Sequence, residues 1–287
     1  MTAKELDLCN PGTLHAVARR VGLVAQDRLS QNFLIDREVL EDIANALEAT
    51  GQDTVLEIGP GIGTLTGELA KRAGSVVAVE LDPRCAEATR ITQRHRDNVR
   101  IVEGDALRTE LSLLGLPPVW LAAGNLPYHL TGALLGHLFE AETPPRRGVF
   151  LVQREVARRL AAEAGDWSTA TVALRSLADV EQVRDVAPQS FDPAPQVFSS
   201  VILVKSNPTL SPRDRDAILV LAKGAFQMRR KTLRHGVAHS LGTTTAVAET
   251  LLAEAGIDPG RRPGTLELAE WLKLARAAER SVGESRS

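Results

Sequence analysis

Asn125, Leu126, Pro127 and Tyr128 follow the apolar run 119–123 and precede a helix-like stretch, and their types suit one chemical task. An amino group on an aromatic ring is a poor nucleophile, because its lone pair is delocalised into the ring and must be drawn back onto nitrogen. The Asn125 side-chain oxygen and a main-chain carbonyl, assigned to Leu126, of the turn that Pro127 enforces could accept both N–H bonds of such an amine. Tyr128 would then stack on the ring. Taken without its surroundings, the same tetrapeptide reads as a strand-ending turn with a buried tyrosine.

Upstream, residues 55–63 are an apolar run that enters a glycine-rich turn, and residues 64–72 continue as an amphipathic helix. Glycines belong there because the backbone must turn sharply and leave room for a ligand against the main chain. The pattern, Gly59, Gly61 and Gly63 after Glu57, is Gly-x-Gly-x-Gly and not the Gly-x-Gly-x-x-Gly that seats a pyrophosphate. It points to a nucleoside without phosphates. The next run ends in Glu80, whose carboxylate can accept from both hydroxyls of a ribose. A third run, 99–102, is followed by Gly104 and Asp105, where a carboxylate can accept from an adenine amino group. Each acid alone reads equally as a solvated charge at a strand end. Three of them past successive strands, the first on a glycine turn, point together to S-adenosylmethionine.

Further motifs occur in order. Gln31, Asn32, Phe33 and Leu34 precede the glycine turn; Phe191, Asp192, Pro193, Ala194, Pro195, Gln196 and Val197, with Ser199 and Ser200, come after the tetrapeptide; residues 225–234, Ala-Phe-Gln-Met-Arg-Arg-Lys-Thr-Leu-Arg, come last. With these the chain resembles the ribosomal RNA adenine N6-dimethyltransferase family over most of its length. The last segment is similar to the small-subunit, kasugamycin-sensitivity branch more than to the macrolide-resistance methylases of large-subunit RNA.

The resemblance implies N6,N6-dimethylation of two adjacent adenines near the 3′ end of small-subunit ribosomal RNA, with that RNA or a pre-30S particle as partner. It implies a cytoplasmic monomer. S-adenosylmethionine would be held by Gln31, Asn32, Leu34, Glu57, Gly59, Gly61, Glu80, Leu81, Asp105, Ala106 and Asn125. The catalytic set would be Asn125, Leu126, Pro127 and Tyr128, with Phe191 on the other side of the base. Ser30, His129 and Gln196 depart from the usual glycine, asparagine and lysine, and none removes a group this chemistry needs.

The formal charge is −2, so a nucleic-acid surface must come from distribution and not from the sum. No acid lies between Asp216 and Glu249, where Lys223, Arg229, Arg230, Lys231 and Arg234 fall. A second basic set is Arg146, Arg147, Arg154, Arg158 and Arg159. Such runs also occur as solvated helix faces; beside a base-clamping motif they are expected to face RNA. Cys9 and Cys85 have no Cys-x-x-Cys spacing, and His235 and His239 lack a neighbouring glutamate, so no metal is expected. No apolar stretch approaches the roughly 20 residues of a membrane helix.

To position these groups, apolar runs at 54–58, 76–80, 99–103, 119–123 and 148–152 alternate with helix-like stretches. This predicts an α/β fold: a Rossmann-like methyltransferase sheet, mostly parallel, with an antiparallel end from 179–186 and 199–205. Residues 1–206, with 1–30 as an extension, form the expected catalytic domain. Residues 207–287 form a small helical RNA-binding domain whose tail, 282–287, is expected to be disordered. Two rival readings stay open, a methyltransferase for DNA or a small amine, and a non-catalytic ribosome-assembly factor.

Overall fold

An apolar strand that returns to its sheet through a helix arrives pointing the same way, so the strand–helix alternation demands parallel pairing. A computed structural model of the chain describes residues 5–23, 32–207 and 209–284. The first half comprises α1 (Pro11–Arg20), β1 (Phe33–Leu34), α2 (Arg37–Leu47), β2 (Thr54–Ile58), α3 (Thr64–Ala70), β3 (Ser75–Glu80), α4 (Pro83–Gln93), β4 (Val99–Glu103), β5 (Leu121–Asn125) and α5 (Thr131–Phe139). Then come β6 (Arg147–Gln153), α6 (Arg154–Leu160), α7 (Thr169–Arg175), β7 (Ala178–Val186), β8 (Phe191–Asp192) and β9 (Ser199–Ser206). Four helices close the chain, α8 (Pro212–Gln227), α9 (Leu233–Leu241), α10 (Thr245–Glu254) and α11 (Leu268–Glu284).

Local chemistry starts these helices. Asp36 accepts from the Glu38 and Val39 amides ahead of α2, and Asp82 accepts from the Arg84 amide ahead of α4, whose first residue is Pro83. Each such cap satisfies an amide that the helix itself cannot. Ser168 and Thr171 cap α7 reciprocally, and Ser211 with Pro212 opens α8.

The seven-stranded sheet has the order β4-β3-β2-β5-β6-β9-β7. β4, β3, β2, β5 and β6 pair in parallel, and β9 joins β6 antiparallel with Gln153 opposite Ser199. α2 lays Val39, Leu40, Ile43 and Leu47 over Val55, Leu121, Val149 and Leu151. A small antiparallel ladder, β1 with β8, sits apart from this sheet.

The described residues of Met1–Ala157 and Val180–Ser206 form one compact unit, and those of Arg158–Asp179 and Asn207–Ser287 form a second. The cut suggested by the sequence fell after residue 206 alone; α7 belongs with the helical unit because Trp167 and Val172 share a core with Ile218, Leu221, Val237, Leu251 and Trp271. Further differences are local. β5 starts at Leu121 and runs through Asn125, so Asn125 ends the strand instead of following it. Residues 228–232 are the turn between α8 and α9. α11 continues to Glu284, three residues into the expected tail; residues 285–287 lie outside the described residues.

Candidate active site

The chain builds β2, β3 and β4 outward in one direction and then crosses back to place β5 on the other side of β2. At that reversal two connections leave in opposite directions, and a crevice opens at the carboxyl ends of the strands. Here a cavity of about 500 Å³ is lined by Asn32, Leu34, Glu57, Gly59, Gly61, Glu80, Leu81, Asp105, Ala106, Asn125 and His129, among others. Its volume suits a small organic ligand.

The glycine turn forms one wall. Gly59, Gly61 and Gly63 all take positive φ, at 69°, 62° and 89°, a region costly for other residues. A Cβ on Gly61 would stand 3.0 Å from the Phe33 ring. The turn is held from behind by α4: Thr89 donates to the Gly61 carbonyl at 2.8 Å, Thr92 to Ile62 at 2.9 Å and Gln93 to Gly63 at 2.9 Å. Sequence reading missed these three. Their signal was a polar i, i+3, i+4 stripe on a helix face that has to be buried.

The three acids differ. Glu80 accepts from the Gly61 amide at 3.0 Å through one oxygen and from the Asp82 amide at 2.9 Å through the other. It therefore fixes the loop, and the remaining lone pairs stay available to a ligand. Burial pushes its carboxyl up, while the amides of Asp82, Gly61 and Leu81 pull it down. Asp105 accepts from the Leu107 amide at 3.0 Å and stays partly open. Glu57 is 1% exposed, and its Oε2 has no hydrogen-bond partner among the described residues. Burial pushes its carboxyl up to about 8, with Glu80 adding to the rise and Thr66 opposing it. An orphaned buried carboxyl on a cavity wall is a place for a cationic group, because a cation supplies the missing charge and donors. These acceptors thus fit the S-adenosylmethionine expected from the sequence: Glu57 would take an ammonium, Glu80 ribose hydroxyls and Asp105 an adenine amine.

At the end of β5, the Asn125 side-chain nitrogen donates to the Asn32 carbonyl at 2.9 Å. That bond occupies the amide's nitrogen and leaves Oδ1 without a donor among the described residues. The Leu126 amide donates to Leu151 at 3.0 Å, and its side chain is buried, so the turn is anchored to β6. The Pro127 carbonyl is taken by Leu130 and Thr131, whereas none of the described residues donates to the Leu126 carbonyl. The tetrapeptide thus carries two acceptors that no described residue occupies. The Tyr128 hydroxyl bonds Ser199 Oγ at 2.8 Å, which fixes the ring; burial pushes the phenol up, against that hydrogen bond.

Not every expected residue falls here. Gln31 lies outside the described residues. Phe191 corrects the expectation: β8 pairs it with Leu34 and buries it to 3% exposure among Leu34, Val39 and Val186, so it offers no free face to a base. Arg146 and Arg147 are corrected too. They stand at the start of β6, opposite the start of β5, about 13 Å of strand from the end that holds Asn125. Arg147 is tied to Glu48 and to the Ala46 carbonyl, and Arg146 to Asp53 at 3.5 Å. Arg154, at the other end of β6, lies over the Phe198 ring. In the helical unit Lys223, Arg229, Arg230 and Lys231 are exposed, the last three together in the turn between α8 and α9. Arg234 is instead paired with Glu249 at 2.8 Å. His235 bonds Thr232 and His239 bonds Gln227, and no cluster of three metal-ligating side chains occurs among the described residues. Neither Cys9 nor Cys85 is in a disulfide. Among the described residues no helix is long and apolar enough to cross a membrane.

The chain is similar to known proteins over most of its length. Residues 23–279 match the family model described as ribosomal RNA adenine dimethylase. The chain is 38% identical over 255 residues to the ribosomal RNA small subunit methyltransferase A of Dehalococcoides mccartyi, covering 88% of both chains. It is 40% identical over 264 residues to the protein of the same name from Geobacter sulfurreducens, covering 89% of this chain and 95% of that one. Among solved structures, the 23S rRNA methyltransferase ErmE superposes with a TM-score of 0.71 at 29% identity, over 86% of this chain and all of the other. A dimethyladenosine transferase from Plasmodium falciparum gives a TM-score of 0.76 at 23% identity, over 87% of this chain and 98% of that one, and shares the fold.

Proposed function

The chain belongs to the ribosomal RNA adenine dimethylase family and is an S-adenosylmethionine-dependent methyltransferase, and from that premise we propose that it dimethylates N6 of two adjacent adenines near the 3′ end of small-subunit ribosomal RNA. The observation that carries the residue assignment is the Asn125–Asn32 hydrogen bond, because it turns the Asn125 oxygen outward as an acceptor. S-adenosylmethionine supplies an electrophilic methyl on its sulfonium. The protein's part is alignment within attack distance and the drawing of a lone pair onto nitrogen.

Asn125 Oδ1 and the Leu126 carbonyl accept the two N–H bonds, which localises the lone pair toward the methyl. Tyr128, held by Ser199, takes a face of the base. After transfer the nitrogen is strongly acidic and loses its proton to water, so no dedicated base is needed. A paired adenine could not enter such a slot, so the target is unpaired or flipped out. The exposed Arg229, Arg230 and Lys231 give the helical unit its phosphate-binding surface. The substrate is small-subunit RNA, free or in an assembling particle, met by a monomer in the cytoplasm.

The test is methyl transfer by the purified protein to small-subunit particles lacking the modification. Incorporation of N6,N6-dimethyladenine at adjacent positions is expected. Incorporation only into large-subunit RNA or DNA would overturn the substrate assignment.

A further inference from the structure

The β6–β9 ladder ends at Gln153 opposite Ser199, and one further bond, from the Arg154 amide to the Phe198 carbonyl at 3.0 Å, extends it. Just past that bond the Arg154 guanidinium carbon lies 4.3 Å from the centroid of the Phe198 ring. The ring is nevertheless 41% exposed, and Val197 before it is 43% exposed. An exposed apolar residue alone means little. Here, however, the ring carries a guanidinium and adjoins Ser199, the residue that holds Tyr128 by its hydroxyl. Arg154 itself is loosely held. Its ion pair with Asp185 is 4.0 Å long, and Asp185 is shared with Ser200 and Gln182.

We propose that Arg154 and Phe198 form a platform for the nucleotide that flanks the target adenine. Its base stacks on the open surface of Phe198 and Val197, and the Arg154 guanidinium donates to its phosphate. This rests on the reading of Tyr128 as the stacking partner of the target base: an RNA that delivers one base to Tyr128 carries its neighbours within one nucleotide of the slot. A cation laid over an aromatic ring is matched to a phosphate joined to a flat base. Stacking of this kind accepts any base, since each has a π-face. The platform therefore positions RNA and does not read its sequence.

The test uses the purified full chain and a single-stranded oligoribonucleotide with two adjacent unpaired adenines, whose flanking nucleotides are made abasic in turn. Binding is read by fluorescence anisotropy, which needs no turnover. Phe198→Ala is expected to bind about tenfold more weakly, and Phe198→Tyr near wild type. Removing the base at one flank costs the wild type a similar factor and costs Phe198→Ala little. Arg154→Gln lowers the slope of log affinity against log salt by about one. S-adenosylmethionine affinity and melting temperature stay at wild-type values in the Phe198 variants. Equal binding by wild type and Phe198→Ala, or an equal cost of the abasic flank in both, overturns the platform. A wild type that showed the expected binding pattern but transferred no methyl would instead overturn the function proposed above.

Discussion

The Asn125 side-chain nitrogen donates across 93 positions of the chain to the Asn32 carbonyl at 2.9 Å. That contact joins the segment before α2 to the end of β5, and it decides which end of the Asn125 amide faces the cavity. An asparagine free to flip would present a donor half the time, and a donor repels the N–H bonds it has to accept.

Asn125→Ala is therefore expected to slow methyl transfer more than tenfold, about 1.4 kcal/mol or more of transition-state stabilisation. S-adenosylmethionine affinity should fall by less than the rate does, because the missing acceptor acts on the amine. Single-turnover kinetics beside calorimetry separate the two. A wild-type rate would remove Asn125 from the chemistry.

Glu80 and Asp105 should not behave alike. Glu80 holds the glycine turn through the Gly61 and Asp82 amides, while Asp105 holds only its own loop. Asp105→Ala is expected to weaken S-adenosylmethionine by about 1–3 kcal/mol. Glu80→Ala should weaken it more and lower the melting temperature of the empty protein as well. Equal losses in affinity with unchanged melting would contradict the double role.

Glu57 gives a pH signature. Its folded carboxyl titrates at about 8 against an ordinary 4.5, so the fold favours the protonated form. That contribution is complete below the ordinary value and is lost as pH rises through the folded one. Glu57→Gln cannot ionise and escapes the loss. Its melting temperature, relative to wild type without cofactor, should rise between about pH 5 and about pH 9. A difference independent of pH would show that Glu57 is not held protonated.

The basic residues divide by position. Charge reversal at Arg229, Arg230 and Lys231 should weaken RNA binding and flatten its salt dependence, by about one unit of slope for each phosphate no longer neutralised. Arg147→Ala should leave RNA affinity alone and lower melting, since it removes a largely buried guanidinium tied to Glu48 and to the Ala46 carbonyl. The reverse pattern would move the RNA surface to the start of β6.

Much of the site was legible because a buried parallel strand is a bare apolar run, and the residues at or just past the carboxyl end of such a strand lie at the ligand-bearing end of the sheet. That reasoning placed Glu57, Glu80, Asp105 and Asn125 together, and all four line the cavity. Phe191 was not, because whether a loop aromatic turns inward depends on the β1–β8 pairing between distant segments. Arg146, Arg147 and Arg154 read as one basic run, yet seven residues of strand carry the first two to one end of the sheet and the third to the other. Charge along a chain does not reveal which end of a strand it occupies. Phe198 acquires meaning only through Arg154 and Ser199, neighbours that the antiparallel β9 supplies.

Dimethylation of adenine in small-subunit RNA by the Asn125 clamp is tested most directly by mass spectrometry of that RNA from cells lacking the protein and complemented with wild type or Asn125→Ala. N6,N6-dimethyladenine at two adjacent positions near the 3′ end should be absent without the protein, restored by wild type and strongly reduced with Asn125→Ala. The same dimethyladenine content in all three strains would contradict the assignment.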